Sequence, residues 1–252
     1  MDNEKQHRSL FSRLLRVRFG WLSVTMAIPL VYFLWEYFAS GLIIAWVRVG
    51  SISLVVAISL LLHELGHAIV FSQLVPGGKF EILLTPILGA VKCNYKDIML
   101  PKYRLMLFAA GPLVNLSLAL IFFFLNEVFV PFPHIVLGVM VKIFLDQWVM
   151  VNLILGCNVL PLFATDGGHI LGEILLLRGQ SPKRAFGFVK LTFYVVGILL
   201  VPFFIYHRDF IGMAFLAAIF LISRVVDEQD YFQKLERNSL IAGGGAEELN
   251  ER

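Results

Sequence analysis

Apolar residues dominate six long stretches of the chain, and polar residues collect between them. The stretches cover residues 21–38, about 49–74, about 103–125, about 145–161, 188–206 and 210–222. Each approaches the roughly 20 residues that a helix needs to cross about 30 Å of hydrocarbon. The pattern therefore predicts an all-α polytopic membrane protein with about six transmembrane helices, three of which form a core at about 49–171.

Basic residues are distributed unevenly between the two ends of these predicted helices. If the N-terminus is cytoplasmic, only Arg48, Lys142 and Arg208 of the 21 lysines and arginines lie on the opposite face. Cytoplasmic loops of membrane proteins carry an excess of lysine and arginine. We therefore expect both termini in the cytoplasm, with a basic N-terminal segment at 1–20, a membrane domain at 21–223 and a charged tail at 224–252.

The composition agrees with a membrane location. Hydrophobic residues make up 58% of the 252 residues and charged residues only 15%, and the mean hydropathy is +0.80. A soluble domain averages about 45–50% apolar and about 25% charged residues. A soluble protein is therefore excluded, and with a net charge of only +3 no nucleic-acid partner is expected.

Residues 77–93 are apolar but too short to cross a membrane. Gly77 and Gly78 indicate a turn, and Pro86 and Gly89 would interrupt a helix. Non-helical backbone at membrane depth is tolerated where other parts of the protein cover it. We favour a short re-entrant β-hairpin here over a loop at the membrane interface.

The second predicted helix contains the sequence His63-Glu64-Leu65-Gly66-His67. Positions i and i+4 of a helix share one face, so the two histidines can bind one zinc ion with Glu64 beside them as a general base. A charge at the centre of a membrane helix costs about 2.5–3.5 kcal/mol on insertion scales. A metal with its water would give this carboxylate a partner, and we predict a metal site.

Catalytic zinc takes three protein ligands and keeps one position open, so a third ligand is needed. Asp166 is the preferred candidate, since it follows the fourth span and precedes Gly167 and Gly168, which would let the backbone turn sharply. His169 is its rival and Glu173 a remote third. A helix cap at the membrane edge is the alternative role for Asp166.

Three motifs resemble the site-2 protease family of intramembrane zinc metalloproteases. They are HELGH at 63–67, AAGPLVN at 109–115, and Asn158-x-x-Pro161 followed by Asp166-Gly167. The resemblance covers about 49–171. It implies that one Zn²⁺ per chain is bound by His63, His67 and Asp166, with Glu64 as catalytic base.

The resemblance also implies how a substrate is held. Asn158 would hold the substrate backbone in an extended form, and the hairpin at 77–93 would offer an edge strand. Asn115 would line the substrate site, or else serve as a hydrogen-bonded asparagine beside a Gly-Pro kink. The implied activity is hydrolysis of a peptide bond in or near the transmembrane segment of a membrane-protein substrate, as in regulated intramembrane proteolysis.

The chain has no PDZ-like domain between these motifs and no nucleotide-binding module after them, so it is most similar to the compact branch related to the sporulation-factor proteases. The expected partners are a transmembrane protein substrate and the lipid bilayer, with room for a regulatory membrane partner; the oligomeric state is left open. The expected location is the bacterial cytoplasmic membrane. Alternatives are a catalytically silent protein that binds partner helices, a transporter, and a prenyl-protein-processing zinc protease.

Overall fold

The computed structural model describes residues 41–76, 80–84, 89–93, 101–129, 136–161 and 165–206, with isolated positions at 38, 78, 232, 233, 235, 236 and 239. The elements are α1 (Leu42–Leu74), β1 (Phe80–Leu84), β2 (Gly89–Cys93), α2 (Pro101–Phe129), α3 (Val136–Gly156), a 3₁₀ turn (Cys157–Val159), α4 (Asp166–Leu177) and α5 (Pro182–Tyr206). The predicted spans at 21–38 and 210–222, the segment 1–20 and the tail lie almost entirely outside the described residues.

Three of these helices are long and apolar enough to cross a membrane. They correspond to Ala45–Leu74, Pro101–Val128 and Gly138–Val159. The first two match the predicted second and third spans. The predicted start of the fourth span at about 145 is wrong, because α3 begins at Val136.

The early start of α3 places two charged residues inside a helix. Lys142 Nζ lies 3.1 Å from the carboxylate of Asp146, one turn later, and the same carboxylate accepts a hydrogen bond from Asn126 Nδ2 at 2.7 Å. Ion pairs at this spacing stabilise a helix. Lys142, which lies outside the predicted span, is therefore compatible with a continuous helix.

The apolar helices place polar side chains inside and large apolar side chains outside. Exposed apolar residues on α2 include Leu113, Leu120, Ile121, Phe123 and Phe124. Buried polar residues on α1, α2 and α3 include Ser59, Glu64, Asn115, Gln147 and Asn152. This distribution suits a lipid environment, in which apolar side chains gain nothing from burial and polar groups need internal partners. The chain is a membrane protein.

The chain divides into two compact units. The first contains α1, the two strands, α3 and α2 from Ala110 onward. Helices α1 and α3 pack through Val55, Trp148 and Val151, and Trp148 stacks on Phe122 of α2 with ring centroids 4.3 Å apart. Strands β1 and β2 pair antiparallel, with Phe80 opposite Cys93 and Leu84 opposite Gly89.

The β-hairpin packs against the end of α1. Ile82 is buried against Ala68, and the Phe80 ring meets the Phe71 ring edge-on at 6.2 Å. A strand pair therefore forms where the sequence predicts one. Its entry into the membrane stays a prediction.

The second unit contains α4, α5 and residues 101–109 of α2. Helix α4, which the hydropathy pattern does not predict, packs on α5 through Leu171, Leu176, Val189 and Phe193. Arg104 and Glu173 form a buried ion pair in this unit, each side chain 2% exposed. Arg104, which the charge pattern places among the cytoplasmic basic residues, is therefore already neutralised inside the protein.

Candidate metal centre

His63 and His67 present their imidazole rings to each other on one face of α1. Their Nε2 atoms lie 3.3 Å apart, and the rings meet edge-on with centroids 4.9 Å apart. Both side chains are buried. The structure thus brings together the two histidines that the i, i+4 spacing predicts as ligands.

The separation of the two nitrogens fits a shared zinc ion. Two nitrogens that each lie about 2.0–2.1 Å from a tetrahedral zinc are about 3.3–3.4 Å apart. The histidine pair therefore has the spacing that the metal requires, without any rearrangement of α1.

Two glycines make room for this histidine pair. A Cβ on Gly111 of α2 would lie 2.6 Å from His63 Nε2, closer than real Cβ atoms come to a neighbouring atom. A Cβ on Gly66 of α1 would lie 3.0 Å from the Ala110 carbonyl oxygen. Both glycines are needed because α1 and α2 approach closely here, and this explains their presence in the two motifs.

The second nitrogen of His63 is held by a hydrogen bond with Asn115 of α2, which in turn bonds to Asn152 of α3. Asn115 Oδ1 lies 2.5 Å from His63 Nδ1, and Asn115 Nδ2 donates to Asn152 Oδ1 at 2.8 Å. Asn115 is fully buried, which favours its role as a hydrogen-bonded asparagine over contact with substrate. The sequence analysis does not identify Asn152 and Ser59 as part of the site, although a polar side chain within an apolar span could have indicated them.

Asp166 lies in the second unit, at the first turn of α4. Thr165 precedes it as the N-cap, and Thr165 Oγ1 accepts a hydrogen bond from the Gly168 backbone N–H at 3.2 Å. The N-cap of α4 is therefore Thr165, and the alternative prediction that Asp166 is the cap is wrong. A carboxylate in the first turn is stabilised by the helix dipole.

Asn158, in the 3₁₀ turn, donates a hydrogen bond from Nδ2 to Asp166 Oδ2. Metal-ligating carboxylates are commonly oriented by such a hydrogen bond. This contact was not predicted from the motifs. That Asn158 also holds the substrate backbone stays a prediction.

The expected sharp turn at Gly167 is wrong, because Gly167 is helical. A Cβ on Gly167 would collide with the carbonyl oxygens of Val159 and Leu160. Its role is to let the first turn of α4 lie directly against the 3₁₀ turn. That close approach brings Asp166 to Asn158.

The two alternative third ligands have other contacts in the second unit. The His169 ring is stacked on the Phe108 ring, with centroids 4.6 Å apart and planes 12° from parallel. Both carboxylate oxygens of Glu173 accept hydrogen bonds from Arg104, each at 2.9 Å. These contacts favour packing for His169 and charge pairing for Glu173, and leave Asp166 as the preferred candidate.

Glu64 lies on α1 directly after His63 and is 4% exposed. Its carboxylate is thus held in a buried environment next to a candidate metal ligand. A group that can accept a proton at this place is suited to general base catalysis.

The described part of the chain is thus a helical membrane protein with a buried histidine pair that could hold a metal ion. The chain has the fold of a solved site-2 protease from Methanocaldococcus jannaschii, with a TM-score of 0.51, 21% identity, and coverage of 86% of this chain and 88% of that one. It is also 32% identical over 138 residues to a zinc metalloprotease from the same organism. These matches confirm the resemblance to the site-2 protease family that the motifs predict.

The sequence match has a limited extent. It covers 54% of this chain, and the chain spans only 35% of the length of that zinc metalloprotease. No protein-family model matches the chain.

Proposed function

We propose that this chain is an intramembrane zinc metalloprotease of the site-2 type. It hydrolyses a peptide bond in or near the transmembrane segment of a membrane-protein substrate, as a step of regulated intramembrane proteolysis. The observation that carries the proposal is the buried histidine pair on α1, whose Nε2 atoms are 3.3 Å apart beside Glu64. A zinc metalloprotease and a site-2 protease among the similar proteins support it.

The motifs imply that His63, His67 and Asp166 would together hold one zinc ion per chain. Zinc bound there would supply a Lewis acid that activates water at neutral pH. Asn115 orients His63 and Asn158 orients Asp166, through the hydrogen bonds that the two amides make.

Glu64 carries the proton transfers of the reaction. It takes a proton from the water whose oxygen bonds to the scissile carbonyl carbon, and returns it to the amide nitrogen as the carbon–nitrogen bond breaks. The substrate helix must unwind locally, because its amides are otherwise paired. The unwound segment adds to an edge of the β-hairpin, since an exposed strand edge pairs readily with an extended peptide, and Asn158 contacts its backbone.

The ligand set predicts the zinc content of single variants. Purified wild-type protein is expected to contain one zinc per chain, and His63→Ala, His67→Ala and Asp166→Ala are expected to contain much less, because each loses one of three ligands. Elemental analysis of the detergent-purified proteins measures this. His169→Ala is the control and should keep its zinc; if it loses zinc while Asp166→Ala retains it, the third ligand is His169.

The same preparations test the proposed activity on a single-span membrane protein in liposomes. Cleavage should occur with the wild type and His169→Ala, stop after a chelator removes zinc, and return with added zinc. Zinc-loaded wild type that traps single-span proteins but cleaves none of them would favour a catalytically silent protein that binds partner helices.

We further propose that the protein is a multi-pass protein of the bacterial cytoplasmic membrane with both termini in the cytoplasm. The placement of only Arg48, Lys142 and Arg208 on the opposite face supports this orientation. A cysteine introduced at position 250 should react with a membrane-impermeant reagent only after the cells are opened. Reaction in intact cells would reverse the orientation.

A further inference from the structure

A chain of hydrogen bonds in the first unit connects Asn152 of α3 to His63 of α1. Asn152 Nδ2 donates to the Trp148 carbonyl oxygen at 2.9 Å and to Ser59 Oγ at 3.0 Å. Asn115 Nδ2 donates to Asn152 Oδ1 at 2.8 Å, and Asn115 Oδ1 lies 2.5 Å from His63 Nδ1. Ser59, Asn115 and Asn152 are all 0% exposed, so these bonds are sheltered from water.

The direction of every bond in this chain follows from its first member. The Trp148 carbonyl can only accept, so the Asn152 atom that faces it is the amide nitrogen, and Oδ1 faces Asn115. Asn115 must donate to that oxygen and therefore turns its own oxygen to His63. His63 must then carry its proton on Nδ1.

Reversing the direction of these hydrogen bonds would place two acceptors against each other in a buried region. A flipped Asn152 amide would set its oxygen against the Trp148 carbonyl oxygen, and a flipped Asn115 amide would set its oxygen against the Ser59 carbonyl, which lies 3.4 Å from Nδ2. An unsatisfied polar group is costly where water cannot reach it. The two backbone carbonyls therefore hold both amides in one orientation.

We propose that Asn152 is a positioning residue for the metal centre. Through Asn115 it holds His63 in the tautomer with the proton on Nδ1 and the lone pair on Nε2, the nitrogen that faces His67. A histidine binds a metal through an unprotonated nitrogen, and the hydrogen bond to the other nitrogen sets which one that is. The inference rests on the proposed function only in taking zinc as the metal that His63 binds.

The test compares zinc affinity in Asn152→Ala and Asn152→Asp, measured in detergent by competition with a chromogenic chelator. Loss of an outer-shell partner of a metal ligand typically weakens binding by about 10- to 100-fold. We expect about tenfold for Asn152→Ala, because the Ser59 carbonyl still favours the correct Asn115 orientation. A neutral aspartic acid can donate to Trp148 and accept from Asn115, so Asn152→Asp should bind zinc nearly as well as the wild type.

Gln147→Ala is the matched control for loss of a buried amide between α1 and α3. Gln147 is buried, accepts from Ser51 Oγ at 2.5 Å and donates to the Arg48 carbonyl oxygen at 3.1 Å. Ser51 lies about three helical turns before His63 along α1. Zinc affinity should be unchanged in this variant. Equal weakening in Gln147→Ala and Asn152→Ala would mean that Asn152 acts through packing alone, and would overturn the proposal.

The tautomer itself is a second measurement, and it does not depend on activity. In metal-free protein with ¹⁵N-labelled histidine, the His63 resonances, assigned by their loss in His63→Gln, should show a protonated Nδ1 and an unprotonated Nε2. Asn152→Ala should show a mixture of both tautomers. An unchanged tautomer in that variant would overturn the proposal. Failure of the wild type to bind zinc would count against the proposed function, but the tautomer of His63 in metal-free protein would still test the role of Asn152.

Discussion

Replacing Glu64 by glutamine is expected to lower the cleavage rate of a single-span substrate by about 10²- to 10⁴-fold, the usual contribution of a general base. Glutamine keeps nearly the same volume and loses only the ability to accept a proton. Because His63, His67 and Asp166 are the proposed ligands, the variant should fold, hold one zinc and still trap the substrate. Cleavage by wild type and Glu64→Gln, matched for zinc content, is compared in detergent or liposomes.

Glu127→Gln is the control for this substitution. Glu127 is an exposed carboxylate near the end of α2, so the same chemical change there should leave cleavage unchanged. Equal cleavage by wild type and Glu64→Gln would show that Glu64 is not the base. Loss of zinc in Glu64→Gln would instead show that Glu64 acts in holding the metal.

Removing the positive charge of Arg104 is expected to destabilise the second unit strongly. Its Nε and Nη2 atoms each lie 2.9 Å from a carboxylate oxygen of Glu173, and both side chains are 2% exposed. Deleting one partner of a buried pair leaves an uncompensated charge and typically costs about 3–5 kcal/mol. For a protein of this size Arg104→Leu should lower the apparent melting temperature in detergent by about 10 °C.

Two further variants separate the charge from packing. The double variant Arg104→Leu with Glu173→Leu should melt well above the single variant, since no charge is left unpaired and replacing both partners of a buried pair is often neutral. Lys142→Ala breaks an ion pair whose side chains are 50% exposed, and should change stability by at most about 0.5 kcal/mol. A double variant as unstable as Arg104→Leu would show that packing, not charge pairing, is what matters at this site.

The features that could be predicted from the sequence depend on short spacings. Long apolar runs predict membrane helices, because the thickness of hydrocarbon sets the length that a helix needs. The spacing of His63 and His67 predicts one shared face, because the helix repeat of 3.6 residues brings i and i+4 together. The described structure has apolar helices at the predicted second and third spans and places the Nε2 atoms of both histidines 3.3 Å apart.

The features that could not be predicted depend on partners far away in the sequence. Asn115 meets His63 across 52 positions and Asn152 across 37, and Arg104 pairs with Glu173 across 69. No periodicity encodes such a pairing, and the charge pattern alone counts Arg104 as a cytoplasmic residue. The early start of α3 has a different reason. Lys142 was placed between two spans because of its charge, although the i, i+4 spacing lets it pair with Asp146 inside a helix.

The sequence by itself thus determined the class of membrane protein, the histidine pair and the candidate base, because hydropathy and helical repeat are local properties of the chain. Only the tertiary structure shows that close packing requires glycine at positions 66, 111 and 167. It alone also shows that Thr165 caps α4 and that Asn115 bonds to His63. In a buried, apolar protein each polar group must find an internal partner, and only the packing of helices distant in sequence determines which partner that is.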